Sequence, residues 1–297
     1  YFRDYNKVSF KKLAIIILTF LFSFALLANV FVEKQKKKYP EILQNLYDRT
    51  WFATKQYYKP CFQRKKFFCF FGNSNNQHTV FLVGDSIMAS LQEELKNSLV
   101  KRKINFIPMT NAGCDFLNSK KQNKFCNKNI QLNREYKIKN FKGSTIIMHL
   151  NYKNIGNDTK VILSYINNIN KYLNLGYKII VINPIPQWNK NVSQTIHTIY
   201  KNDKKNFLDE LIKQEKISLN YKDFYTQISK INDELDKLSH KNLFFIYPDK
   251  IFCNIKENNK CFANSFENIY FTDTSHLSKV GSQMINSQLI KLIEKIN

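Results

Sequence analysis

Thr79-Val80-Phe81-Leu82-Val83-Gly84-Asp85-Ser86-Ile87-Met88 is the stretch on which the reading of this chain turns. It opens as an apolar, mostly β-favouring run that ends at Gly84, and a helical pattern follows from Ile87 to about Leu99. Gly84 permits a tight exit from the strand, since glycine accepts backbone angles that a Cβ would forbid. Ser86 then falls where the helix begins, and there unpaired N–H groups and the helix dipole favour negative charge on a hydroxyl. Asp and Ser are also ordinary helix caps, so this stretch alone fits a plain cap equally well.

The balance shifts near the other end of the chain. Tyr270-Phe271-Thr272-Asp273-Thr274-Ser275-His276-Leu277-Ser278 places Asp273 three residues before His276, just ahead of the last helical pattern. A hydroxyl nucleophile needs a base within hydrogen-bond reach, and that base needs a partner to hold its tautomer and charge. Asp273 and His276 have the types and spacing to orient and supply that base for Ser86. A strand followed by Gly-Asp-Ser, together with a late Asp-x-x-His-Leu-Ser, resembles the SGNH (GDSL-type) hydrolase family. The resemblance is to the version fused to membrane acyltransferase-3 domains in O-acetyltransferases of surface polysaccharide. It implies Ser86, His276 and Asp273 as catalytic residues.

Outward from these motifs the chain alternates. Strands are predicted at Val80–Val83, Ile104–Met109, Thr145–Leu150, Lys178–Asn183 and Leu243–Tyr247. Helical patterns lie near Ser86–Lys101, Val161–Leu173, Asn206–Lys216, Tyr221–Leu238 and Leu277–Ile296. The last carries Ile285, Leu289, Leu292, Ile293 and Ile296 on one side, a core-facing stripe. Such alternation implies a parallel sheet with helices on both faces, and a site beyond the carboxyl ends of the strands, where Ser86 falls. The resemblance makes this an α/β domain of flavodoxin-like, three-layer α/β/α SGNH-hydrolase fold. It is expected to follow one transmembrane helix.

Acyl transfer also needs donors for the oxyanion. The Ser86 N–H is one. Gly113, in Thr110-Asn111-Ala112-Gly113-Cys114 after the second strand, matches the glycine whose N–H serves this purpose in the family; a turn glycine is the plain alternative. Fused members often have Gly-Cys-Pro here, where this chain has Gly-Cys-Asp. The Gly-x-Asn-Asp of stand-alone enzymes is missing, as it frequently is in fused members. Asn151, at the end of the third strand, is the candidate third donor, with Asn154 and Asn157 behind it. In so Asn-rich a chain an ordinary strand-end asparagine competes with that role. His149, His78, His197 and His240 read as structural, and Pro184-Ile185-Pro186 as a loop shaping one wall of the cleft.

Residues 13–32 form an uncharged apolar run of bilayer-spanning length, and Ala25-Leu26-Leu27-Ala28 fits a signal-peptide cleavage site poorly. Lysines and arginine flank both sides, so the positive-inside rule leaves the orientation open. The six cysteines decide it. Cys61 with Cys69, Cys114 with Cys126 and Cys253 with Cys261 fall as near neighbours. None makes Cys-x-x-Cys or stands at zinc-finger spacing from a histidine, so no metal site is read. Three local disulfides in an oxidising compartment is the reading, other connectivities being open. Everything after Val32 is thereby placed outside the cytoplasm.

The chain opens on Tyr1, and Tyr1-Phe2-Arg3 with Lys11-Lys12 resembles the tail of an acyltransferase-3 domain. The expected organisation is residues 1–12 as the cytoplasmic end of a missing N-terminal membrane domain, 13–32 as the transmembrane helix, 33–77 as an extracytoplasmic linker, and 78–297 as the SGNH-like domain. The linker has helical periodicity around Tyr39 to Tyr58, and Trp51, Phe52, Tyr57 and Tyr58 suit a membrane interface as well as packing on the domain.

With 46 Lys plus Arg against 23 Asp plus Glu, the formal charge of +23 suits anionic partners, though no zinc-finger, RNP or phosphate-loop signature points to nucleic acid. Part of that bias goes with an Asn- and Ile-rich composition. The resemblance implies a bacterial inner-membrane protein whose globular domain lies in the periplasm. Its expected partners are the membrane, its own N-terminal acyltransferase-3 domain (absent from this chain) and a cell-surface glycan acceptor such as lipopolysaccharide O-antigen. No cofactor is expected in the domain itself, with acetyl-CoA as the ultimate acyl donor. The competing readings are a membrane-anchored esterase that uses water as acceptor, and a glycan-binding module whose triad is vestigial.

Overall fold

The computed structural model describes residues 10–36, 68–116, 126–156, 158–207, 217–254, 259–265 and 268–297. In chain order the elements are α1 (Phe10–Lys36), β1 (Thr79–Gly84), α2 (Ser86–Ala89), α3 (Gln92–Lys101), β2 (Asn105–Thr110), α4 (Lys128–Lys139), β3 (Thr145–His149), α5 (Tyr152–Ile155) and α6 (Thr159–Asn174). There follow β4 (Lys178–Ile182), α7 (Val192–Asn202), β5 (Ser218–Asn220), α8 (Tyr221–Leu235), β6 (Leu243–Ile246), α9 (Asp249–Phe252), β7 (Cys253–Asn254), β8 (Lys260–Phe262) and α10 (Lys279–Ile296).

All five expected strands pair side by side in the order β2-β1-β3-β4-β6, every pair parallel. This is the doubly wound order, with the chain reversing direction across the sheet on either side of β1. β1 is buried at all six positions because it sits inside a sheet covered on both faces, which is why its sequence is a continuous apolar run rather than an alternation. β1 meets β2 with Gly84 opposite Thr110, so the loops leaving the two strands emerge together.

The helices follow from capping and stripe. Asp158 caps α6 through the N–H groups of Lys160 and Val161, and the helix buries Ile162, Tyr165, Ile166, Ile169, Tyr172 and Leu173 along one side. Asn220 caps α8 and Ser278 caps α10 in the same way.

The expected helix over 86–101 is broken. α2 ends at Ala89 and α3 resumes at Gln92, so no long helix dipole stands behind Ser86. Among the described residues four helices were not read from the sequence, the four-residue α5 and α9 and the longer α4 and α7. α4 turns Ile130, Gln131, Arg134 and Ile138 inward, and two polar side chains on the buried stripe disguise it. α7 buries only Val192, Ile196 and Ile199. A small antiparallel sheet in the order β5-β8-β7 was also unforeseen; its strands are two or three residues long, below the length at which alternation shows. The helical expectation around Tyr39 to Tyr58 lies outside the described residues, as do residues 208–216 of the one at Asn206–Lys216.

Within α1, Lys12–Val30 is long and apolar enough to cross a bilayer, with Ile15, Leu18, Phe20, Phe22 and Leu27 all exposed. Disulfides join Cys114 to Cys126 and Cys253 to Cys261, the second across facing residues of β7 and β8. Cys69 is disulfide-bonded as well, and Cys61 lies outside the described residues.

Candidate active site

β1 ends at Gly84, whose φ is not in the left-handed region, so the expected need for unusual backbone angles is not met there; the demand at this elbow is steric, since a Cβ would lie 2.5 Å from Met88 Cγ and the Met88 side chain would have to shift. Asp85 caps α2: its Oδ1 accepts from the N–H groups of Ile87 at 2.9 Å and Met88 at 3.4 Å. That locks the turn and leaves Ser86 half-buried at its apex, beyond the carboxyl end of β1.

Ser86 Oγ lies 2.9 Å from His276 Nε2, and His276 Nδ1 lies 2.6 Å from Asp273 Oδ2. A carboxylate only accepts, so Nδ1 carries the proton and Nε2 is left to accept from the Ser86 hydroxyl. The other carboxylate oxygen of Asp273 accepts from the backbone N–H groups of Ser275 and His276, each at 2.8 Å. Burial raises the Asp273 carboxyl, but the hydrogen bonds and charge of His276 together with these N–H groups outweigh it, and the net pKa is below the usual value.

The segment bearing this pair is held tightly. Thr272 N–H donates to the His276 carbonyl, and Ser278 N–H donates to the Tyr270 carbonyl, both at 2.8 Å. Trp188 N–H donates to the Thr274 carbonyl at 2.7 Å, and its ring packs edge-on against Phe271.

Gly113 sits on the loop leaving β2, exposed, with φ +57. Nothing lies within 4 Å of where its Cβ would be, so the demand for glycine there is conformational, not steric. The loop is stitched to the elbow by Asn111 N–H donating to the Gly84 carbonyl at 3.1 Å. Asn151 is buried behind the elbow. Its Nδ2 donates to Asp85 Oδ2 at 2.9 Å, its Oδ1 accepts from Gln187 Nε2 at 2.9 Å, and its N–H donates to Asp115 Oδ1 at 3.3 Å. One amide N–H is thus committed to Asp85, and the side chain braces the elbow as well as standing beside it. Asn157 lies outside the described residues.

His149 is fully buried with Nδ1 3.1 Å from the Ile182 carbonyl, and burial lowers its pKa, so it is a neutral packing residue at the end of β3. Pro184, Ile185 and Pro186 are buried, and Gln187, the residue that follows them, makes the contact to Asn151.

Sequence reasoning missed a buried polar group under the site: Arg134, Asp115, Gln131 and Gln187. Asp115 has its pKa raised well above the usual value, first by burial and then by the neighbouring charge of Asp85. Arg134 is lowered to about 10 by burial, with Asp115 and Asp85 acting against that fall, so it remains a cation at neutral pH. The nearest signal was the neighbourhood of Cys126, since α4 begins just after the Cys114–Cys126 disulfide. Among the described residues no three His, Cys, Asp or Glu side chains gather as a metal site.

Residues 59–291 match the family model described as the SGNH domain fused to AT3 domains. The periplasmic domain of a lipopolysaccharide acetyltransferase from Salmonella ser. Paratyphi A superposes with a TM-score of 0.56 at 21% identity, covering 74% of this chain and 85% of its own; that likeness is one of fold. An acetyl xylan esterase, AlAXEase, gives a TM-score of 0.43 at 17% identity, over 73% of this chain and 99% of its own. No curated protein matches the chain.

Proposed function

Because the chain belongs to the family of SGNH domains fused to AT3 domains, we propose that it is the extracytoplasmic domain of a membrane O-acyltransferase that moves an acetyl group to a hydroxyl of a cell-surface glycan through an acyl-Ser86 intermediate. The observation that carries this reading is the chain of hydrogen bonds from Ser86 through His276 to Asp273, at 2.9 and 2.6 Å, beyond the end of β1.

In the first half-reaction Ser86 Oγ attacks the acyl carbonyl as His276 Nε2 takes its proton, and Asp273 stabilises the imidazolium that forms. The N–H groups of Ser86 and Gly113, with Asn151 as a third donor, receive the charge on the carbonyl oxygen. The leaving group departs with the proton from His276. In the second half, His276 deprotonates the acceptor hydroxyl, which attacks the acyl-serine and restores Ser86.

The acyl group would come from an AT3 partner domain, with acetyl-CoA as its ultimate source. The proposed arrangement is residues 1–12 and 13–32 as the end of that domain and a membrane span, 33–77 as linker and 78–297 as the periplasmic SGNH domain. The apolar span within α1 and the disulfides support it.

The test is glycan O-acetylation in cells carrying the full-length transferase. Ser86→Ala and His276→Ala should each abolish the acetyl signal of the polysaccharide while protein level and membrane insertion stay normal. Asp273→Asn should be damaging but less complete. Full acetylation in Ser86→Ala would refute the nucleophile assignment and favour a binding module. Acetate release by purified protein with no dependence on a sugar acceptor would favour an esterase.

A further inference from the structure

We propose that Arg134 is a positioning residue: its buried guanidinium sets the separation between the Gly113 loop and the Ser86 elbow, the two backbone segments that would hold the oxyanion. The inference rests on Ser86 acting as the nucleophile.

Gly113 has no side chain with which to hold its own place, so its N–H is aimed by its neighbours. Arg134 holds those neighbours. Nη2 donates to the Gly84 carbonyl at 3.0 Å and to Asn111 Oδ1 at 3.2 Å. Nη1 donates to the carbonyls of Cys114 and Asp115, both at 3.2 Å, and to Gln131 Oε1 at 3.4 Å. Gly84 lies two residues before Ser86, while Asn111 and Cys114 flank the turn that carries Gly113. One rigid, planar fork thus spans both segments, a geometry that lysine cannot reproduce. Gln131, one turn earlier on α4, adds a bond from Nε2 to the Asp115 carbonyl at 2.8 Å.

Arg134 is 0% exposed, and it faces oxygens of the backbone and of amides rather than a paired carboxylate. Taking a guanidinium wholly out of water carries a penalty that an apolar side chain of similar volume would avoid. What the apolar side chain would lack is the fork itself. The loop is also tied covalently to the start of α4 through Cys114–Cys126. A change at Arg134 therefore alters the placing of a loop that remains tethered.

The experiment measures labelling of Ser86 by a fluorophosphonate in the full chain in detergent. Ser86 Oγ displaces fluoride from phosphorus, its proton passes to His276, and the phosphoryl oxygen takes the oxyanion position. Intact-mass spectrometry gives the amplitude, the maximal rate and the probe concentration at half-saturation. Arg134→Gln should slow the maximal rate about 10- to 100-fold, short of or equal to the loss of a whole oxyanion donor, with half-saturation within twofold and full amplitude. A purely structural role would lower the amplitude, as fewer molecules are folded, and leave the rate of the labelled fraction unchanged. That result would overturn the proposal.

If Arg134→Gln does not fold, Asn111→Ala and Gln131→Leu keep Arg134 in place and each remove one brace. Slower labelling in either supports the proposal, and parental rates in both overturn it. A parent chain that does not label at Ser86, or a Ser86→Ala chain that labels equally, would refute the nucleophile reading itself, and is seen before any Arg134 variant is made.

Discussion

Replacing Gly281 with alanine should destabilise the domain and disable the candidate triad together, although alanine is the better helix former. Gly281 lies in the first turn of α10, and a Cβ there would fall 2.1 Å from the Tyr270 carbonyl oxygen, 3.0 Å from its carbon and 3.2 Å from Leu277 Cδ2. Ordinary contact begins near 3.4 Å, so a backbone carbonyl has to retreat by more than an ångström. That carbonyl accepts from Ser278 N–H at 2.8 Å, and the Ser278 hydroxyl in turn accepts from Gly281 N–H at 3.1 Å. Overpacking of this kind costs about 1–3 kcal/mol, and a broken hydrogen bond adds about 1 kcal/mol. The helix-propensity gain of alanine offsets about 1 kcal/mol. A net loss of about 1–3 kcal/mol corresponds to a fall in Tm of about 2–12 °C for a domain of this size. Near-ultraviolet circular dichroism on heating would measure it. Tyr270 is three residues from Asp273, so Ser86 labelling by a fluorophosphonate should fall as well. A Tm equal to or above that of the parent would show that the close approach of α10 to this segment is not what holds Asp273 and His276.

Three further outcomes are expected. The lowered pKa of Asp273 contributes stability above the unfolded carboxyl's value, about 3.9, and loses it as pH falls through the folded value; Asp273→Asn should therefore flatten the stability curve in the acid limb, as followed by urea midpoints across pH. Cys114→Ser with Cys126→Ser opens a loop with a sequence separation of 12, and should lower stability by up to about 3 kcal/mol in denaturant titration while slowing Ser86 labelling through the freed Gly113 loop. Leu21→Arg places a charge mid-way along the apolar span at an insertion penalty of about 3 kcal/mol, and should increase the share of protein released by alkaline carbonate; full retention would mean that another segment does the anchoring.

The sequence by itself determined the architecture of the main sheet. β1, β2, β3 and β4 are largely apolar because each is buried almost throughout, while β6, at one edge of the sheet, is apolar with Phe244 and Phe245 half-buried. It also offered Ser86, Asp273 and His276 as candidates, because nucleophile and base come with short spacings and characteristic neighbours. Only the tertiary structure decided that these three, 190 residues apart at the extremes of one hydrogen bond, lie within reach of one another. It alone revealed the break after Ala89, where Asp85 satisfies the first N–H groups of a four-residue helix that periodicity had merged with the next. And it alone showed what supports the site. Arg134, Asp115 and Gln187 come from three separate parts of the chain, and each would be assigned to the surface on hydropathy. Their burial depends on partners found only after folding, since a polar side chain can leave water only where oxygens and N–H groups from distant segments already wait for it.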